Sequence, residues 1–88
     1  MHNRLVSEAL LLRILQGSSD ANMCFDELRH LLARLGFGER VKGSHHIFTR
    51  ENIAEILNLQ PRGSLAKPYQ VKQVRKVIVR YNLAERVE

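Results

Sequence analysis

Two adjacent histidines, His45 and His46, lie in the stretch Lys42-Gly43-Ser44-His45-His46-Ile47-Phe48 of an 88-residue chain. Imidazole titrates near neutral pH, so it can take or give a proton under ordinary conditions. Lys42 adds a cation close by, and Gly43 lets the backbone approach a phosphate with its N–H able to donate. Such a set suits proton transfer at a phosphate ester. RNA carries its own nucleophile, the ribose 2′-OH, so its cleavage needs chiefly proton transfer and stabilisation of charge at phosphorus. One histidine with nearby cations can supply both without a metal. On spacing alone a plainer alternative stands beside this one: two exposed histidines on a hairpin.

Other chemistries find less support. The sequence has no G-x-x-x-x-G-K-[ST] phosphate loop, no G-x-S-x-G elbow and no H-E-x-x-H zinc helix. The single cysteine, Cys24, excludes an internal disulfide and a cysteine-based metal cluster. Between Met23 and Phe25 it reads as a small buried hydrophobe. His45 and His46 do not make a zinc pair, because neighbours on a strand point to opposite faces. His2 and His30 read as surface residues. The expectation is therefore a chain with no cofactor and no metal.

The elements that must position the histidines follow from periodicity. Glu39–Lys42 and His45–Thr49, joined by Gly43-Ser44, pattern as a hairpin with a tight turn. On the second strand His46 shares a face with Phe48, while His45 shares the other with Ile47 and Thr49. Phe48 should seek the core, which leaves His45 on the open side of the sheet or at its rim. Upstream, Leu28, Leu31, Leu32 and Leu35 fall at i, i+3, i+4 and i+7 of a helix, with Asp26 as its expected N-cap, Gly36 suited to its C-terminus and Phe37 folding back on the last turn. Residues 53–59 fit a strand or a short helix, with a strand ending before Pro61 preferred. Pro61-Arg62-Gly63-Ser64 reads as loop. A last helix is expected from Tyr69 to about Tyr81, with Pro68 at its first turn. Val71, Val74, Ile78 and Tyr81 lie on one side of it, with Val77 beside them, and Lys72, Lys76 and Arg80 form a basic stripe on another. The helix expected over Asn3–Gln16 is apolar on more than one stripe, with Leu5, Val6, Ala9, Leu10, Leu11, Leu12, Ile14 and Leu15. It must bury most of its circumference against its own domain, a twin or a partner chain.

A chain of this length buries only about 60% of the surface that it exposes when unfolded, which leaves no room for a large cofactor beside a core. Its charge is uneven. Residues 1–39 hold four arginines against five acids, a net of −1, whereas residues 40–88 hold ten basic residues against four acids, a net of +6. Such asymmetry is the footprint of a polyanion partner, nucleic acid above all, or simply of a solubilising surface. Nothing in the N-terminal stretch patterns as a targeting segment, and no apolar run reaches the roughly 18 residues of a membrane span. The reading is a cytoplasmic protein with no membrane partner.

The stretch Arg40-Val41-Lys42-Gly43-Ser44-His45-His46-Ile47-Phe48 closely resembles the signature of the HicA toxins, the messenger-RNA-cleaving half of HicA–HicB toxin–antitoxin modules. Phe25 to Phe37 resembles that family's first helix and its Leu-Gly-Phe ending. Ile56-Leu57-Asn58-Leu59-Gln60-Pro61 looks like its third strand, and Lys67-Pro68-Tyr69 to Leu83 like its closing helix. The likeness covers about residues 22–84. It implies an α+β, double-stranded-RNA-binding-domain-like α-β-β-β-α fold, a three-strand antiparallel sheet packed on two helices, here with an extra N-terminal helix. The division implied is a helical extension over residues 1–17 and an RNA-binding, ribonuclease domain over residues 20–88.

The resemblance also implies a metal-independent endoribonuclease acting on mRNA, with a histidine at the start of the second strand as general acid/base. By the motif match that is His45, with His46 as the hedge. Lys42, Gly43, Ser44, Lys67, Lys72 and Arg75 are the RNA contacts expected around it. A HicB-like antitoxin is expected to cover the active site, and the N-terminal helix offers a surface for self-association. Two departures stand out: that helix has no counterpart in the family core, and Arg62-Gly63 stand where many members carry a histidine after the proline. The competing reading is a non-catalytic nucleic-acid-binding domain, double-stranded-RNA-binding or winged-helix-like.

Overall fold

The leucine face of the second helix decides where the core lies. The computed structural model describes the backbone of residues 2–86 and the side chains of residues 8–84. In chain order the elements are α1 (His2–Gln16), α2 (Phe25–Arg34), β1 (Gly38–Lys42), β2 (His45–Thr49), β3 (Leu57–Leu59), β4 (Pro61–Arg62), β5 (Leu65–Ala66) and α3 (Pro68–Arg80). Short 3-10 turns occupy Asp20–Asn22 and Leu83–Arg86. Strands β1, β2 and β3 form one antiparallel sheet in that order, and β4 and β5 form a separate two-strand hairpin. After α1, therefore, the chain runs helix, three sheet strands, helix, the α+β arrangement of double-stranded-RNA-binding-like domains.

In α2, Leu28, Leu31, Leu32 and the following Leu35 are all buried, as their spacing requires. The helix ends in a Schellman motif. Gly36 N–H donates to the Ala33 carbonyl and Phe37 N–H to that of Leu32, both at 3.0 Å. Gly36 takes φ +95°, a conformation that a side chain would strain. Phe37 folds back into the core.

The start of α2 differs from expectation. Asp26 is not its N-cap: the helix opens at Phe25 after Cys24, with no side-chain cap. The Ser64 carbonyl instead accepts the Phe25 N–H at 2.9 Å, and the Ala66 N–H donates to the Met23 carbonyl at 2.8 Å. The segment taken from sequence as a loop makes these bonds possible. Pro61–Arg62 pairs with Leu65–Ala66 across a Gly63-Ser64 turn, and this hairpin docks beside residues 23–25. A backbone carbonyl from residue 64 thus satisfies one of the N–H groups left open at the start of α2. Cys24 is half-buried in this join.

The main hairpin closes at Lys42↔His45 across Gly43-Ser44 and keeps register to Gly38↔Thr49. Gly43 takes φ +61°, as the first position of a two-residue II′ turn demands. Strand β3 pairs with β2 through His46↔Leu59, Ile47↔Asn58 and Phe48↔Leu57. The strand reading of residues 53–59 therefore holds over Leu57–Leu59, while residues 53–56 are irregular. Phe48, Leu57 and Leu59 point at the helices and are buried.

Helix α3 begins with Pro68 at its first turn and buries Val71, Val74, Val77 and Ile78. Helix α1 stops at Gln16, before Gly17, and sinks Leu10, Leu11 and Ile14 into the same core as α2, the sheet and α3. Its own domain thus covers one side of it, and Leu12 remains 56% exposed on another. The side chains of His2, Leu5 and Val6 lie outside the described residues.

Candidate active site

Period-two alternation separates the two histidines. His46 points to the helix side of β2. Its ring meets that of Phe25 edge-on, 4.9 Å between centroids, and its Nδ1 lies 2.6 Å from Glu39 Oε2. Only 16% of its side chain is exposed. Glu39 is held in turn by Arg29, whose Nε donates to Oε2 at 2.8 Å and whose Nη2 donates to Oε1 at 3.2 Å. The Arg29 hydrogen bond holds the Glu39 carboxyl below the usual carboxylate range, with His46 adding to the effect and burial opposing it. The same contact raises the Arg29 guanidinium, with Asp26 contributing. Asp26, expected as a cap, is thus a partner of Arg29 at 3.0 Å.

His45 points the other way and is exposed. Cross-strand pairs share a face, so Lys42 and His45 lie side by side, as do Arg40 and Ile47, with Asn58 flanking Ile47 on β3. The open face therefore carries Arg40, Lys42, His45 and Asn58 together. The His45 Nδ1 lies 3.0 Å from Asn58 Oδ1. Beside it, Gln60 Nε2 donates to Ser44 Oγ at 2.8 Å, and Lys67 Nζ donates to Gln60 Oε1 at 3.3 Å. This chain of bonds ties Lys67 to the Gly43-Ser44 turn. A Cβ added to Gly43 would meet nothing within 4 Å, so the turn is open to an approaching ligand.

Of the residues expected from sequence, Lys42, Gly43, Ser44, His45 and Lys67 are brought together. Lys72 is exposed on α3. Arg75 is not brought to the turn: its Nη1 and Nη2 donate to the two Asp20 oxygens at 3.0 and 3.1 Å, and Nη1 also to the Ile14 carbonyl at 3.0 Å. Asp20 raises the Arg75 guanidinium above its ordinary value. It clamps the end of α1. At the far end of the basic stripe, Arg80 pairs with Glu55 at 3.2 Å.

Three residues of the site escaped the sequence reading. Arg40 follows from alternation once Lys42 is placed on the open face. Asn58, between inward-facing Leu57 and Leu59, is likewise the outward residue of its strand. Gln60 depends on the β2–β3 register, which no local pattern specifies.

The geometry is that of an exposed histidine beside a glycine turn on a basic sheet face, in an α-β-β-β-α frame. Against it stands a direct comparison: the family model described as the HicA toxin of bacterial toxin–antitoxin systems matches residues 25–78. The chain belongs to the HicA toxin family. The match runs from the first residue of α2 into the last turns of α3, so it takes in the whole sheet and every residue around His45. No curated protein and no solved structure matches the chain. As a HicA toxin it is one half of a toxin–antitoxin pair, and a protein antitoxin is its implied partner. Among the described residues no helix is long and apolar enough to cross a membrane. Helix α1, by contrast, lies outside the matched HicA segment.

Proposed function

We propose that this HicA toxin is a metal-independent endoribonuclease that cleaves messenger RNA, with His45 as its general acid/base. The observation that carries the reading is the placement of His45: exposed, at the start of β2, next to a glycine turn and facing the same way as Lys42. His46, the alternative, is engaged with Glu39 and Phe25 on the helix side, away from any ligand on the open face.

In this mechanism the His45 imidazole takes the proton of a ribose 2′-OH as that oxygen attacks the adjacent phosphorus. The phosphorus–oxygen bond to the 5′ carbon of the next nucleotide breaks, leaving a 2′,3′-cyclic phosphate, and the departing oxygen takes a proton from water or Lys42. Lys42, Lys67 and the Gly43 and Ser44 backbone surround the phosphate and offset its growing negative charge. Arg40 extends the cationic surface along β1, and Lys72 adds an exposed charge on α3. A HicB-like antitoxin neutralises the toxin by covering this face.

Induced expression in a bacterial host, with growth and RNA integrity followed over time, tests the reading. The parent chain is expected to arrest growth as mRNA decays, and His45→Ala to do neither. RNA binding by the parent without decay would make the domain a non-catalytic binding module instead.

A further inference from the structure

His45 is held from the strand beside it. The Asn58 Oδ1 lies 3.0 Å from His45 Nδ1, and a carbonyl oxygen can only accept. With that oxygen turned to the ring, the neutral imidazole carries its proton on Nδ1, and the lone pair is left on Nε2. Without such a partner an exposed ring exchanges its tautomers and turns about its side-chain bonds.

Asn58 is itself anchored. Gln70, buried on α3, donates from Nε2 to the Asn58 carbonyl at 3.2 Å and accepts the Gln60 N–H on Oε1 at 3.0 Å. Strand β3 is an edge of the sheet, and its outward N–H and C=O groups need partners. One side-chain amide spans residues 58 and 60 as a neighbouring strand would. Both residues so clamped reach the turn through their side chains, Asn58 to His45 and Gln60 to Ser44.

We propose that Asn58 is a positioning residue that locks His45 in the Nδ1–H tautomer and presents Nε2 as the basic nitrogen to RNA. Its catalytic consequence rests on the ribonuclease reading above, but the tautomer itself can be measured without it. A carboxylate at position 58 would still accept the Nδ1–H and would favour the protonated ring, whereas an apolar side chain would do neither.

The test compares the parent chain with Asn58→Leu and Asn58→Asp. Nitrogen-15 NMR of the His45 ring reads the tautomer, and cleavage of an RNA oligonucleotide at saturating concentration is followed against pH. The expected result is an Nδ1–H ring in the parent and in Asn58→Asp, with the tautomer mixed in Asn58→Leu. Cleavage by Asn58→Leu should fall about tenfold or more. Asn58→Asp should retain cleavage, with the acid limb of its pH profile moved up by about 1 unit or more. A merely structural asparagine would give no such displacement. An Asn58→Leu ring with the parent's tautomer, or parental cleavage by Asn58→Leu, would overturn the proposal. Undiminished cleavage by His45→Ala would instead remove the reading of His45, and the NMR result would still judge Asn58.

Discussion

His46 Nδ1 lies 2.6 Å from Glu39 Oε2, on the helix side of the strand whose open side carries His45. Adjacent residues of the same type thus have opposite placements, one joining β1 to α2 through Glu39 and Arg29, the other exposed on the open face of the sheet. His46→Ala should lower the unfolding free energy by about 1–3 kcal/mol, through loss of a hydrogen bond to a charged group and of the ring contact with Phe25. Cleavage measured well below the variant's melting temperature should persist. Denaturant unfolding and an RNA cleavage assay on the same sample check both halves.

The Glu39 carboxylate makes this join sensitive to acid. Arg29, and then His46, hold its folded-state pKa below the ordinary value of 4.5, so folding is favoured by its ionisation. That contribution is complete above about 4.5 and is lost as pH falls through the lower folded-state value. Glu39→Gln should reduce stability at neutral pH and flatten the fall in stability below pH 4.5. Parallel pH titrations of melting temperature for the two chains measure it; parallel curves would contradict it.

Helix α1, although outside the matched segment, is built into the core. Ile14 is fully buried, and Arg75 bonds its carbonyl while gripping Asp20. Ile14→Ala should cost about 2–5 kcal/mol, as for other buried aliphatic truncations. Equilibrium unfolding checks it, and a change under 0.5 kcal/mol, the range of ordinary surface substitutions, would mean that α1 does not pack as described.

Much of this arrangement is legible in the residues because it is local. The three leucines of α2 with Leu35 after them, the Gly36-Phe37 ending and the Gly43-Ser44 hairpin each depend on neighbours within one or two turns of chain. So does the separation of His45 from His46, which needs only the alternation of a strand and the demand of Phe48 for the core. What escaped depends on partners distant in sequence. Two-residue strands such as Pro61–Arg62 and Leu65–Ala66 carry too few side chains to show a period, and they are held by bonds to Met23 and Phe25. The helix starts one residue before Asp26, with its first N–H bonded to Ser64, so Asp26 lies inside the first turn and is no cap. Arg75 sits among cations in the sequence and reads as part of a basic surface, yet Asp20, far away in the chain, claims it. Gln60 becomes visible only when the register of β2 against β3 is known.

In the proposed mechanism His45 moves the proton in RNA cleavage. The most direct measurement is cleavage of a defined RNA oligonucleotide by the purified parent and His45→Ala chains, in the presence of a metal chelator, with the product ends identified. Expected are 2′,3′-cyclic phosphate and 5′-hydroxyl ends from the parent, and a loss of about a hundredfold or more in His45→Ala with its fold unchanged. Equal cleavage by the two chains would contradict it.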